Sequence, residues 1–199
     1  MRKVFTFGCS VSDYCQVDKN YSDYLIDEGY EVYKNTQGAG SNYASFRKLH
    51  SLLREGKIDS NSRVVFQYTN PIRREISIQG KLTHWKFESH GWQSDTTIRK
   101  IHKMWEDNCV NEEYELEVLL NQCYITELAL IALNVPTLWL TSSYISPLNT
   151  NQLPLSKHRL FTTHLISFIG ERASEDRCHF SDYGHREMAQ IIKNWDINL

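Results

Sequence analysis

Lys3-Val4-Phe5-Thr6-Phe7-Gly8-Cys9-Ser10 is the stretch whose reading decides the fold. Val4 to Phe7 alternates β-branched and aromatic side chains, which fit a pleated strand, and Gly8 breaks the run. The same kind of unit then recurs along the chain. Tyr21 to Asp27 reads as a helix with Tyr21, Tyr24 and Leu25 on one side, stopped near Gly29. Glu31 to Lys34 reads as a second strand. After Asn35-Thr36-Gln37-Gly38-Ala39-Gly40, Ser41 is the expected N-cap of a helix with a buried stripe of Phe46, Leu49, Leu52 and Leu53, ending at Gly56. Arg63 to Tyr68 reads as the third strand. Short apolar runs alternating with helical patterns predict βαβ units around a mostly parallel sheet.

Working outward, Pro71 and the polar pattern from Arg73 to Asn111 interrupt this regularity, and residues 73–111 are expected to form an insertion or lid. The segment carries Trp85, Trp92, Trp105, His84, His90 and His102, which either anchor the insertion on the domain or line an acceptor pocket. Glu112 to Leu133 predicts one long helix packed on the sheet through Leu116, Leu119, Leu120, Cys123, Leu128 and Ala129. Val135 to Leu140 predicts a fourth strand. Leu160 to Ile169 stays open between helix and strand, and Asp182 to Trp195 predicts a closing amphipathic helix.

Composition bounds the function. At 199 residues the chain is expected to be a single domain over 1–199. Lys plus Arg number 22 against 24 Asp plus Glu, so no basic excess exists to neutralise a phosphate backbone, and nucleic-acid binding is not expected. The most apolar stretch, Leu128 to Leu140, contains Asn134 and Pro136 and is shorter than the roughly 20 residues of a membrane span. No membrane association is expected. Cys9, Cys15, Cys109, Cys123 and Cys178 are odd in number and lack CxxC spacing. With no signal-peptide core at the N-terminus, they predict a reducing cytoplasm and buried thiols rather than zinc ligands or a disulfide framework.

In open parallel sheets the ligand crevice lies beyond the carboxyl ends of the strands. That places Ser10, Gly40, Asn70 and Thr141-Ser142-Ser143 among the first candidates. A serine hydroxyl needs an imidazole to take its proton, and the imidazole needs a carboxylate to orient it. Asp176 stands three residues before His179, just ahead of the last helix, a spacing that lets one tight loop hold both. The Ser10 and Gly40 N–H groups and the Asn70 amide are available as oxyanion donors. Each residue also has a plainer reading: Ser10 as a turn or cap, Asp176 as a solvated loop carboxylate, His179 as a packing histidine, Gly38 and Gly40 as turn glycines. His185 reads as a helix-surface residue.

Taken together, Gly8-Cys9-Ser10, Asn35 with Gly40, Asn70, and Asp176-x-x-His179 with Gly184 and Ala189 resemble the four blocks of the SGNH, or GDSL-type, hydrolases. The resemblance implies a flavodoxin-like three-layer α/β/α sandwich and ester hydrolysis without metal or cofactor. It implies Ser10 as nucleophile, His179 as base, Asp176 as its orienting carboxylate, and Gly40 and Asn70 beside Ser10 as oxyanion donors. The chain departs from the family pattern in three places: Cys9 replaces the usual Asp, Thr69-Asn70-Pro71 stands where Gly-x-Asn-Asp is usual, and Phe180 replaces the proline after the histidine. The expected substrate is a small acyl ester, with O-acetyl carbohydrate as the leading class. Acyl transfer to an acceptor hydroxyl, or a binding protein on a degenerate hydrolase fold, are the alternatives.

Overall fold

The computed structural model describes residues 2–9, 17–36, 40–69, 74–78, 81–85, 100, 103–104, 111–140, 160–161 and 179–197. Strand β1 (Lys3–Gly8) pairs on one side with β2 (Glu31–Thr36) and on the other with β3 (Ser62–Gln67), both parallel. Beyond β3 come β6 (Thr137–Leu140) and the short β7 (Leu160–Phe161), again parallel. Among the described residues these strands form a sheet in the order β2-β1-β3-β6-β7. This is the flavodoxin-like order, reversing direction at β1.

Local chemistry sets the helix ends. Helix α1 (Tyr21–Asp27) begins in a capping box: Asn20 Oδ1 accepts from the Ser22 and Asp23 amides at 2.9 and 3.3 Å, and Asp23 Oδ2 accepts from the Asn20 amide at 3.0 Å. Helix α2 (Asn42–Arg54) is capped by Ser41, whose Oγ accepts from the Ala44 amide at 3.1 Å. Gly29 and Gly56, past the ends of these helices, have φ of 89° and 65°, where a side chain would be strained. Helix α3 (Glu112–Ala132) starts at Asn111, and helix α4 (Asp182–Ile197) follows Ser181, whose Oγ accepts from the Gly184 amide at 3.2 Å.

Alternation along the strands sorts the core into two layers. Phe5, Phe7, Val64, Phe66, Tyr68 and Trp139 meet Phe46, Leu49 and Leu52 of α2 and Leu119, Cys123 and Leu130 of α3. Val4, Val65, Leu138 and Leu140 meet Tyr21 and Leu25 of α1 and Met188, Ala189 and Ile192 of α4. The result is the expected α/β/α sandwich. The expected stripe on α3 is partly wrong: Leu128 is 49% exposed and Ala129 is exposed, while Glu115, Thr126, Glu127 and Leu130 face inward. Apolar and polar side chains are mixed around the helix, so spacing alone does not select its buried face. Among the described residues no helix is long and apolar enough to cross a membrane.

Two features were not expected from the sequence. Inside the 73–111 segment, β4 (Arg74–Ile78) and β5 (Lys81–Trp85) form an antiparallel hairpin with Ile76 opposite Thr83. At the amino ends of the strands, the buried Asp196 carboxylate of α4 accepts from Arg2 Nη1 at 2.5 Å, Arg63 Nε at 2.7 Å and the Tyr30 hydroxyl at 3.1 Å. Burial raises the carboxyl pKa, but these three donors outweigh it and hold the group below its usual range.

Candidate active site

Because the strand order turns back at β1, a crevice is expected between the carboxyl ends of β1 and β3. Phe7 stands beside Phe66 in register, so the residues following Gly8 and Gln67 leave the sheet side by side. Cys9 is buried there as a free thiol, and Gln67 Nε2 reaches its Sγ at 3.4 Å. The thiol therefore acts as a small buried group at the floor of the crevice, as its burial predicts.

The start of α2 is drawn to the same place. Gly40 is buried immediately before the Ser41 cap. Two residues on, Asn42 donates from Nδ2 to the Thr69 carbonyl at 2.8 Å and accepts from the Thr69 amide at 2.9 Å. One side-chain amide thus satisfies both backbone groups of the residue before Asn70. Gly40 and the chain entering Asn70 are fixed relative to each other by this pair. Asn42 carries little signal of this role in the sequence, since asparagine at the start of a helix is common.

The loop before α4 completes the arrangement. His179 is half-buried, and Phe180 after it is buried in one cluster with Cys9, Tyr21 and Leu140. The residue before Ser10 and the residue after His179 therefore share one apolar cluster, although about 170 positions separate them. Ser10, Asn70 and Asp176, like Gly38 and Thr141-Ser142-Ser143, lie outside the described residues. Of the expected site, the structure describes Gly40 and His179.

His185 differs from its expectation as a helix-surface residue. It is 1% exposed, on the inward face of α4 that also holds Met188, Ala189 and Ile192. That phase was readable in the sequence, because positions 185, 188, 189 and 192 recur at helical spacing. Burial pushes its pKa down to about 4; nearby Asp23 opposes this and His179 adds to it. The ring is neutral near pH 7.

A groove of about 390 Å³ between α1 and α4 is lined by Lys19, Tyr24, Asp27 and Arg186, among others. Lys19 pairs with Asp27 at 2.9 Å there, and Lys193 with Glu28. The groove belongs to the outer surface of that helix layer, not to the strand ends. Among the described residues no three His, Cys, Asp or Glu side chains gather in a way that would hold a metal ion.

No family model matches the sequence, and no curated protein is similar to it. Solved structures are similar over nearly the whole chain. A psychrotrophic esterase, EstA, from Pseudoalteromonas sp. matches with a TM-score of 0.59 at 11% identity, covering 100% of both chains. A GDSL-like lipase from Bacteroides thetaiotaomicron matches with 0.57 at 12% identity, over 100% of this chain and 89% of that one. The protein crystallised as TesA matches with 0.57 at 12% identity, over 95% and 94%. With the 2-1-3 strand reversal and the two helix layers, these likenesses show that the chain has the three-layer α/β/α fold of the SGNH hydrolases.

Proposed function

We propose that this protein is a serine esterase of the SGNH type that cleaves a small acyl ester through an acyl-enzyme. The observation that carries the reading is the shared burial of Cys9 and Phe180, which brings the neighbours of Ser10 and His179 to one side of the sheet's carboxyl end. The Asn42–Thr69 pair adds to it, since it fixes the start of α2 beside the chain that enters Asn70.

In this reading His179 removes the proton from Ser10 as its hydroxyl attacks the ester carbonyl, and Asp176 stabilises the imidazolium that forms. The Ser10 and Gly40 amides and the Asn70 side chain receive the developing oxyanion, each worth about 3–4 kcal/mol in the transition state. The imidazolium then returns its proton to the leaving alkoxide. Water, activated by the same imidazole, hydrolyses the acyl-enzyme. Cys9 in place of the usual Asp leaves this machinery whole, because its thiol is buried against Gln67 and takes no part. The tryptophan-rich 73–111 segment supplies aromatic faces suited to a sugar ring, so O-acetylated carbohydrate is the first substrate class to assay. Free Cys9 and Cys123 thiols accord with a cytoplasmic setting.

The test is Ser10→Ala against an aryl acetate, with a fluorophosphonate probe in parallel; the Pseudoalteromonas esterase was crystallised inhibited by monoethylphosphonate. Loss of turnover by about a thousandfold or more, with loss of the probe adduct, is expected. Wild-type turnover in the variant overturns the reading.

A further inference from the structure

The first turn of a helix carries amide groups with no partner inside the helix. In α1 the Asn20 cap takes those of Ser22 and Asp23. The Tyr21 amide is not served by the cap, and Tyr21 is wholly buried, so no water can serve it. Its acceptor comes from across the molecule: the amide donates to His185 Nδ1 at 3.2 Å.

We infer that His185 is a positioning residue for the proposed esterase site, holding the start of α1 and the loop bearing His179 against one buried imidazole. The inference rests on the esterase reading of that site. Three contacts converge on the ring. Nδ1 receives the Tyr21 amide, the Tyr21 ring lies 6.1 Å away, and the Phe180 ring meets it edge-on at 5.2 Å. Tyr21 closes the stretch that begins at Ser10, and Phe180 follows His179. One side chain thus touches both the start of α1 and the residue that follows His179.

The chemistry of the ring argues that the acceptor, and not its volume alone, is what the position requires. With Nδ1 accepting, the proton sits on Nε2, and that buried atom has no hydrogen-bond partner. An orphaned buried donor is a cost that Phe or Leu would avoid while filling the same space. The acceptor offsets it by taking the hydrogen bond of the buried Tyr21 amide. Among the described residues, the charged and titratable groups facing the ring are Asp23 of α1, itself paired with Lys34 of β2, Tyr21 of α1 and His179 of the loop. Burial beside His179 keeps the ring neutral, which an acceptor must be.

Two variants separate the roles. His185→Phe keeps an aromatic ring and removes the acceptor; His185→Asn keeps an acceptor near Nδ1 and gives up volume. Aryl acetate kinetics and pH profiles are measured for both, together with hydrogen exchange of the Tyr21 amide and the NMR chemical shifts of the His179 ring. Misplacement of a reacting group by about 1 Å costs on the order of a hundredfold in rate. His185→Phe is therefore expected to lose tenfold to a hundredfold in kcat at nearly constant KM, with faster Tyr21 exchange and displaced His179 ring chemical shifts. His185→Asn is expected to stay close to wild type in all of these. Wild-type kcat in His185→Phe, or an equal loss in His185→Asn, overturns the inference. If His185→Phe does not fold, His185→Asn decides alone: retained kcat and Tyr21 protection support the role, their loss overturns it. If wild-type protein neither turns over ester nor takes the probe at Ser10, the esterase reading has failed. The Tyr21 and His179 NMR readouts then judge His185 independently.

Discussion

Asn42 and Thr69 are locked together by a reciprocal pair of hydrogen bonds, 2.8 Å to the Thr69 carbonyl and 2.9 Å from its amide, with both residues buried. The pair does for the end of β3 what a neighbouring strand would do, at the point where the chain leaves the sheet. Asn42→Leu fills similar space but leaves both Thr69 groups without partners. Each orphaned group costs about 1–3 kcal/mol, so urea denaturation is expected to show a loss of roughly 2–4 kcal/mol. A loss below about 0.5 kcal/mol would mean that the pair is not formed in solution.

Asp196 carries a different kind of constraint. Its carboxylate is nearly inaccessible, whereas the Arg2 side chain is 53% exposed and that of Arg63 is 15% exposed. Removing Asp196 strands a largely buried Arg63, so Asp196→Ala is expected to cost on the order of 3–5 kcal/mol. Arg2→Ala, at the solvated edge, should cost under about 1 kcal/mol. Thermal melts that rank the two in the reverse order would contradict the geometry.

Among the described residues, buried His185 and Asp196 shape the acid limb of the stability curve in different windows, and half-buried His50, also held low by burial, adds a smaller share to the first. His185 falls from the usual 6.5 to about 4 on folding. Its contribution is fully present above the unfolded value and is lost as pH falls from about 6.5 towards 4, a change of about 3 kcal/mol. Asp196, also depressed by folding, contributes above its ordinary carboxylate range and loses that contribution only below it. Chemical denaturation from pH 7 to 3 should therefore fall in two stages, and His185→Asn should flatten the first while leaving the second. A single stage confined to carboxylate pH would refute the assignment to His185.

Helix α3 makes a prediction that sequence alone reverses. Ile125 is 58% exposed and Leu128 49% exposed, while Leu130 is 1% exposed. Leu128→Glu and Ile125→Lys should each change stability by no more than about 0.5 kcal/mol, whereas Leu130→Ala should cost about 2–5 kcal/mol. Equal losses at Leu128 and Leu130 would show that α3 is rotated about its axis.

These contrasts explain what the chain disclosed. The β1-α1-β2-α2-β3 run was legible because each helix carried its own boundary signals: Ser41 before α2, Gly29 and Gly56 past the ends, and a narrow apolar stripe at Phe46, Leu49 and Leu52. The buried face of α3 was not legible, because its apolar and polar side chains are mixed on both faces and give no preferred phase. The β4–β5 hairpin went unread because Arg74, Glu75, Lys81 and His84 dilute the alternation that marks a strand. For the proposed site, the carboxyl-end rule selects one pole of the sheet, and of the expected residues Gly40 and His179 are described. What spacing did not disclose was the supporting polar set of Asn42, Gln67 and His185, whose value depends on partners far away in the sequence.

The Asp196 cluster has a further consequence. Arg2, Tyr30 and Arg63 lie at the starts of the first three parallel strands, so the whole ionic knot sits at the pole opposite the crevice. If the esterase reading proposed above holds, anchoring and chemistry are divided between two ends of one sheet, and substitutions at each are expected to combine additively.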